Sequence, residues 1–541
     1  MTPTPQPTPL LVGSLFTGCG GLDMSVEAAF DHPCRTTFMC EIDPAASLVL
    51  AHRFPHVPNL GDIRTVDWAG LDPVDVLVGS SPCQSVSPAG RREGLTAGSH
   101  SNLWTSMADG IRVMRPPVVM WENVTGMLSA TADTRLHDLD SCPHCRGAGG
   151  DAPLRAMGRI VADLADAGYD AVWCDLKASD VGACHQRARV WMVAWRRDAP
   201  LPVFLTATPT ARHAPATGSR TPDMAQGDLG AASSPQNAPQ ALSGDMAGTR
   251  VATWDPRRDI WTRVDHACPA GHPLPWTSVW PKTGVCLSGD VAMLTSCPAP
   301  DGGARHLLRT PRSARGGSST ENIGKLTLPT PVARPGHGSP ADHLRRKPGR
   351  SVVPDLAIIV DNGLLDTGGT LPGQASAARL PSPRASDGAK GGPNQVGRVK
   401  SDMTLPTAVA RIDASWAAQC RCDAWGAYRD AVHAHAVAFQ APAPLPSAPT
   451  GRDGGLRLTA EAAAWMMGLP AGWITDDAIW SGHVTDAGKP WTRSAWRVAA
   501  LRIAGNGVVP RQGEAAFRWL LQAARSLATT AVEATVVRRE V

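Results

Sequence analysis

LLVGSLFTGCGGLDMSVEAAF, Leu10 to Phe30, passes from an apolar run through a glycine-rich corner into a segment with helical periodicity. A buried strand that turns on glycines directly into a helix is the opening unit of an open α/β sheet. The pattern repeats outward from this stretch. TTFMCEID (Thr36 to Asp43) reads as a second strand ending in acids, followed by PAASLVLAHRF as a helix. VDVLVGS (Val74 to Ser80) and PPVVMWENV (Pro116 to Val124) read as buried strands, and ARVWMVAWR (Ala188 to Arg196) as a late strand of the same sheet. The expected fold class is α/β with a doubly wound parallel sheet, and polar residues gather at strand C-termini, where such sheets bind ligands.

Two corners carry candidate chemistry. FTGCGG (Phe16 to Gly21) lies between strand and helix, where backbone amides approach a ligand closely; it lacks the full spacing of a dinucleotide fingerprint, and a ligand-free tight turn fits it as well. Glu41 at the end of the next strand falls where a ribose hydroxyl pair would lie, and Asp62 in GDI where an adenine amino group would lie. The second corner is SSPCQ, in which Cys83 follows a strand end and precedes a glycine-punctuated basic loop. A lone thiol is commonly a buried structural residue. A nucleophilic thiolate, however, needs an acid partner, and Glu122 in WENV ends a neighbouring strand on the same edge.

The chain has 541 residues, enough for two or more domains, and its net charge of +4 permits a polyanionic partner without requiring one. Thirteen cysteines, odd in number and irregularly spaced, point to reduced thiols. No apolar run is long enough to span a bilayer and no basic segment precedes the short apolar run at the N-terminus, so a cytoplasmic protein without a membrane span is expected. From Asp198 to Gly455 proline, glycine, serine and threonine dominate, with related phrases at Leu308, Leu328, Leu380 and Thr404; this stretch reads equally as linker or as loops that contact a partner. Order is expected to return at Leu456, with LRLTAEAAAWMMGLP as a capped helix stopping at Gly468 and EAAFRWLLQAARSLA as an amphipathic one. CPHCRGAGG (Cys142 to Gly150) offers half a zinc site, but neither Cys268 with His272 nor Cys420 with Cys422 completes it at convincing spacing, and no metal is expected.

SLFTGCGGLD, GSSPCQSVSPAG, WENVTGML, HQRARVWMVAW and RIAGNGVVP, taken in order with EAAAWMMGLPAGWI, resemble the ordered motifs of the DNA (cytosine-5) methyltransferases. The resemblance covers the first and last parts of the chain and leaves out the middle. It implies a Rossmann-like S-adenosylmethionine-dependent methyltransferase domain over residues 1–197, a smaller, irregular target-recognition region over 198–455, and C-terminal motifs over 456–541 that return to the catalytic domain. It further implies that Cys83 adds to carbon 6 of a cytosine rotated out of duplex DNA by ~180°. Glu122 would hold ring nitrogen 3 and the exocyclic amine, Arg189 the carbonyl oxygen, and Arg187 the phosphates or a supporting loop. For S-adenosyl-L-methionine it implies Phe16 on the adenine, Gly18, Cys19 and Gly21 in the turn, Glu41 on the ribose, Ile42 and Asp62 at the adenine, Pro82 near the methyl end, and Asn506 and Val508 closing the pocket.

In the family's arginine motif glutamine usually stands where this chain has His185, and proline is common where it has Cys184. The expected partner is double-stranded DNA, and the expected state a monomer. A transfer-RNA cytosine methyltransferase and an inactive DNA-binding relative are the alternatives; a nicotinamide dehydrogenase, suggested by the glycine turn alone, is weaker because the fingerprint is incomplete.

Overall fold

A computed structural model describes residues 8–30, 32–82, 103–130, 155–199, 250–267, 273–276, 278–294, 421–449 and 456–539. Cys83 and its basic loop, the CxxC at Cys142 and Cys145, Cys268, His272, Cys420 and the repeated phrases lie outside the described residues.

The first unit forms as its sequence dictates. Strand β1 (Leu10–Leu15) leads through the glycine turn into helix α1 (Gly21–Ala29), then β2 (Cys34–Cys40) and α2 (Pro44–Arg53), whose N-terminus is capped by the Asp43 side chain. Next come β3 (Val76–Gly79), α3 (Leu103–Met114), β4 (Val118–Val124), α4 (Ala156–Asp166), β5 (Tyr169–Lys177) and β6 (Ala188–Arg196). β1 lies between β2 and β3, with β4 beyond, all parallel. The chain therefore leaves β1 in both directions across the sheet, and the crevice at the C-terminal ends of β1 and β3 is its switch point.

The expected all-parallel sheet is corrected in its second half. β6 inserts between β4 and β5 antiparallel to both, because the short Ala178–Arg187 connection turns the chain straight back beside β5. Beyond β5 the sheet continues with β10 (Gly284–Leu287), β11 (Asp290–Met293), β7 (Arg250–Asp255), β8 (Ile260–Ala267) and β9 (Pro273–Pro275), all antiparallel neighbours. Composition alone suggested linker or loops here. What orders residues 250–294 is a set of tryptophans: Trp254, Trp261 and Trp280 are buried with Trp173 of β5, and Trp173 and Trp280 meet edge-on at 6.1 Å. The edge strand begins and ends in proline, which blocks further pairing.

The strands read as near-continuous apolar runs because both faces of the sheet are covered. Val76, Val78, Val118, Met120 and Val193 bury against α1 and the long C-terminal helix α9 (Pro510–Arg539), while Leu77, Val119, Trp121 and Met192 face α3 and α4. A third apolar cluster joins α2 to α5 (Arg429–Phe439), α6 (Ala460–Met466), α7 (Asp477–Trp480) and α8 (Arg493–Asn506). α6 starts on the Thr459 cap and the chain turns away at Gly468, whose φ is +69°, where the sequence placed its end. The two ends of the chain thus pack together: α1 lies on α9, Arg502 of α8 pairs with Asp43 at 2.7 Å, and Arg53 donates to the carbonyls of Gly472 and Trp473.

Candidate active site

The turn after β1 holds three left-handed residues in five: Phe16 (φ 54°), Gly18 (59°) and Gly20 (83°). This curls the backbone so that the Gly18 amide donates to Glu41 Oε2 at 2.7 Å, while the Asp43 amide donates to Oε1 at 2.7 Å. One carboxylate therefore ties the glycine turn to the start of α2, and burial pushes the Glu41 carboxyl above the usual range. Space stays open beside Gly18, where a Cβ would meet nothing within 4 Å. Ile42, next to Glu41, is an exposed apolar side chain (63%), and Phe16 is half-buried.

From the other end of the chain, Gly507 and Val508 close onto this turn. A Cβ on Gly21 would lie 2.9 Å from the Val508 carbonyl oxygen, so only glycine allows the approach, and Trp473 Nε1 donates to the Cys19 carbonyl at 2.8 Å. Asn506 is exposed at the end of α8. The Cys19 thiol is buried and pushed up to about 12, so it packs as a neutral group. Asp62 caps the short helical turn Ile63–Thr65 and is held by Arg64 through both oxygens, which depresses its carboxyl.

At the neighbouring corner, sheet register does the positioning. Gly79 of β3 lies opposite Trp121 of β4, so the next step brings Ser80 beside Glu122; Val124 lies opposite Arg189 of β6, one pleat from Glu122 on the same face. The buried Glu122 side chain accepts from Ser80 Oγ on Oε2 at 2.5 Å and pairs on Oε1 with Arg189 Nε at 3.0 Å. Asn123 donates to the Ser81 carbonyl at 2.9 Å and fixes the backbone leading into Pro82, the last described residue before Cys83.

Arg187 lies elsewhere. It is 5% exposed, has a φ of 25°, and donates to the carbonyls of Gly505 (3.3 Å) and Gly507, so it is buried in support of the turn that closes on Cys19. Gln512 completes the clamp by donating to the carbonyls of Leu176 and Arg187, each at 2.8 Å. His185 donates from Nε2 to the Met466 carbonyl at 2.8 Å, and His435 of α5 accepts from the Cys184 amide at 3.2 Å and faces the Trp465 carbonyl at 3.0 Å. Both histidines are buried, and desolvation drives each down to about 3. Sequence reasoning did not single out Ser80, Trp473, His435 or Gln512. Ser80 carried a faint signal, as a hydroxyl at the end of a buried strand; the other three act across long sequence separations and carried none.

The C-terminal edge of the sheet thus brings together the glycine turn with Glu41, Ile42 and Phe16, a strand-end segment that leads in sequence to a thiol, and a carboxylate held by an arginine. Among the described residues no group of three or more His, Cys, Asp or Glu side chains could hold a metal ion, and no helix is long and apolar enough to cross a membrane.

Residues 10–240 match the family model for C-5 cytosine-specific DNA methylase. The chain is 31% identical over 215 residues to the DNA N-6-adenine-methyltransferase of Escherichia phage P1, covering 33% of this chain and 28% of that one. It is 28% identical over 289 residues to Type II methyltransferase M2.BsuMI of Bacillus subtilis (strain 168), covering 50% and 67%. A solved structure of S. pombe Dnmt2 methyltransferase matches at 17% identity and a TM-score of 0.27, over 35% of this chain and 52% of that one. The alignment spans less than a third of the phage relative's length and about two thirds of the Bacillus one. The matched residues span the glycine turn, the SSPCQ corner, the glutamate strand and the arginine strand, so this part of the α/β chain is similar to the C-5 cytosine-specific DNA methylases.

Proposed function

We propose that the protein methylates carbon 5 of cytosine in duplex DNA, with Cys83 as the nucleophile. The observation that carries this reading is the locked Glu122: a buried carboxylate held by Arg189 and Ser80 at a strand end whose neighbour runs into Pro82 and Cys83.

The chemistry needs such a group. Carbon 5 of cytosine is a poor nucleophile because the ring is aromatic and electron-poor. Addition of the Cys83 thiolate to carbon 6 breaks the aromaticity and makes carbon 5 an enamine carbon. Negative charge then builds toward ring nitrogen 3, where a proton shared with the Glu122 carboxylate offsets it while the other Glu122 oxygen accepts from the exocyclic amine. Arg189 Nη1 donates to the Ala188 carbonyl at 2.9 Å, and Nη2 is the guanidinium nitrogen left for the cytosine carbonyl oxygen. The Gly18 turn, Glu41 and Ile42 would hold S-adenosyl-L-methionine, which when bound would supply an electrophilic methyl group for carbon 5 and leave as S-adenosylhomocysteine. Loss of the carbon-5 proton to a base then lets the ring expel the thiolate and regain aromaticity. A stacked base cannot present carbon 6 to a protein thiol, so the cytosine is rotated out of the duplex, and the basic loop after Cys83 covers it.

The remaining assignments follow the same reading. Residues 198–455 supply target recognition, residues 456–541 complete the cofactor wall, and the protein acts as a cytoplasmic monomer, in a restriction-modification system or in protecting phage or host DNA.

The test incubates unmethylated genomic DNA with the protein and methyl-labelled S-adenosyl-L-methionine, then resolves the nucleosides. Label in 5-methyldeoxycytidine, absent with Cys83→Ser, is the expected result. Label in N6-methyladenine, as the name of the phage relative would suggest, or in transfer RNA in place of DNA, would overturn it.

A further inference from the structure

We infer that Ser80 is a positioning residue for Glu122, its hydroxyl fixing the carboxyl plane in which the cytosine edge is read. The inference rests on the functional reading above and adds a residue to it. A carboxylate at the end of β4 can rotate about its terminal torsion, which is broad and roughly two-fold. Arg189 Nε meets Oε1 at 3.0 Å, and that contact by itself leaves the rotation free. The Ser80 hydroxyl engages the other oxygen at 2.5 Å, so the two contacts together define the plane.

Ser80 is itself held firmly. It follows the buried strand residue Gly79, and the backbone after it is anchored by Asn123 and Trp121 through Ser81. The same short segment leads through Pro82 to Cys83. The peptide that sets the carboxyl plane is thus continuous in sequence with Cys83. Each oxygen keeps a second lone pair, so both contacts persist while Glu122 addresses nitrogen 3 and the amine.

The test measures steady-state methyl transfer to unmethylated genomic DNA by wild type, Ser80→Ala and Ser80→Thr, with melting temperatures in parallel. Ser80→Ala is expected to lower kcat by about 10- to 100-fold, the rate equivalent of one hydrogen bond to a charged group. KM for DNA and for S-adenosyl-L-methionine should stay within about threefold, since a misaligned carboxyl weakens the transition state more than ground-state binding. Ser80→Thr keeps the hydroxyl and should restore kcat to within about threefold of wild type. An Ala variant with wild-type kcat, a loss confined to KM, or equal losses in Ala and Thr would overturn the positioning role alone. A wild type that transfers no label to cytosine would overturn the functional reading, and the role of Ser80 with it.

Discussion

His185→Gln is expected to flatten the acid sensitivity of the fold. His185 and His435 are both buried and neutral, each depressed from 6.5 to about 3. The unfolded chain takes up a proton on each near pH 6.5, whereas the folded chain does not until about pH 3, so stability is full above 6.5 and falls progressively below it. At 1.36 kcal/mol per pH unit, moving to pH 5 removes about 2 kcal/mol per histidine, or about 4 for the pair. Asp23 works the other way: burial raises it from 3.8 to about 6, so the folded chain binds its proton first and gains about 1 kcal/mol over the same interval. These three groups alone give a loss between pH 7 and 5 of about 3 kcal/mol for wild type and about 1 for His185→Gln, whose amide can still donate to the Met466 carbonyl; Glu41 and Asp170, also raised by burial, offset part of the loss equally in both proteins, so the difference of about 2 kcal/mol stands. Urea unfolding followed by tryptophan fluorescence at the two pH values reads the difference. Equal losses in the two proteins would show that His185 is not held neutral, and would refute the reasoning.

Gly21→Ala should push its methyl against the Val508 carbonyl, lowering the melting temperature by several degrees, from about 1–3 kcal/mol of overpacking, and weakening S-adenosyl-L-methionine binding measured by calorimetry; unchanged values would mean that the two ends of the chain do not meet as described. Arg187→Ala should cost about 3 kcal/mol or more in denaturant unfolding, because the carbonyls of Gly505 and Gly507 lose a charged donor, and should leave the salt dependence of DNA binding unaltered. A stable variant with a shallower salt slope would return Arg187 to the phosphates.

The parallel half of the sheet was legible because each strand there ends at a glycine corner or an acidic residue and is followed by a helix of clear periodicity. Phe16, Gly18, Glu41 and Glu122 could be placed on one edge for the same reason. The antiparallel half was hidden: β9, β10 and β11 are only three or four residues long, and β7 to β11 lie in a stretch whose average composition is that of a linker and are ordered by tryptophans that find Trp173 across a long sequence separation. Arg187 was ambiguous because its acceptors, Gly505 and Gly507, lie more than three hundred residues away. Ser80 was overlooked because only the β3–β4 register, which the sequence does not display, sets a serine beside Glu122. Asp62 shows the converse: the acid was conspicuous in sequence, yet its neighbour Arg64 engages both oxygens.

The central claim is that a thiol at position 83 attacks carbon 6 of cytosine. Duplex DNA in which 5-fluorodeoxycytidine replaces deoxycytidine tests it most directly, since the fluorine at carbon 5 cannot leave as a proton and the ring cannot expel the thiolate. With S-adenosyl-L-methionine present, the account predicts a denaturation-resistant protein–DNA adduct that peptide mass spectrometry maps to Cys83, and none with Cys83→Ser. Methylation of ordinary DNA by a protein that forms no such adduct, or an adduct that survives Cys83→Ser, would contradict it.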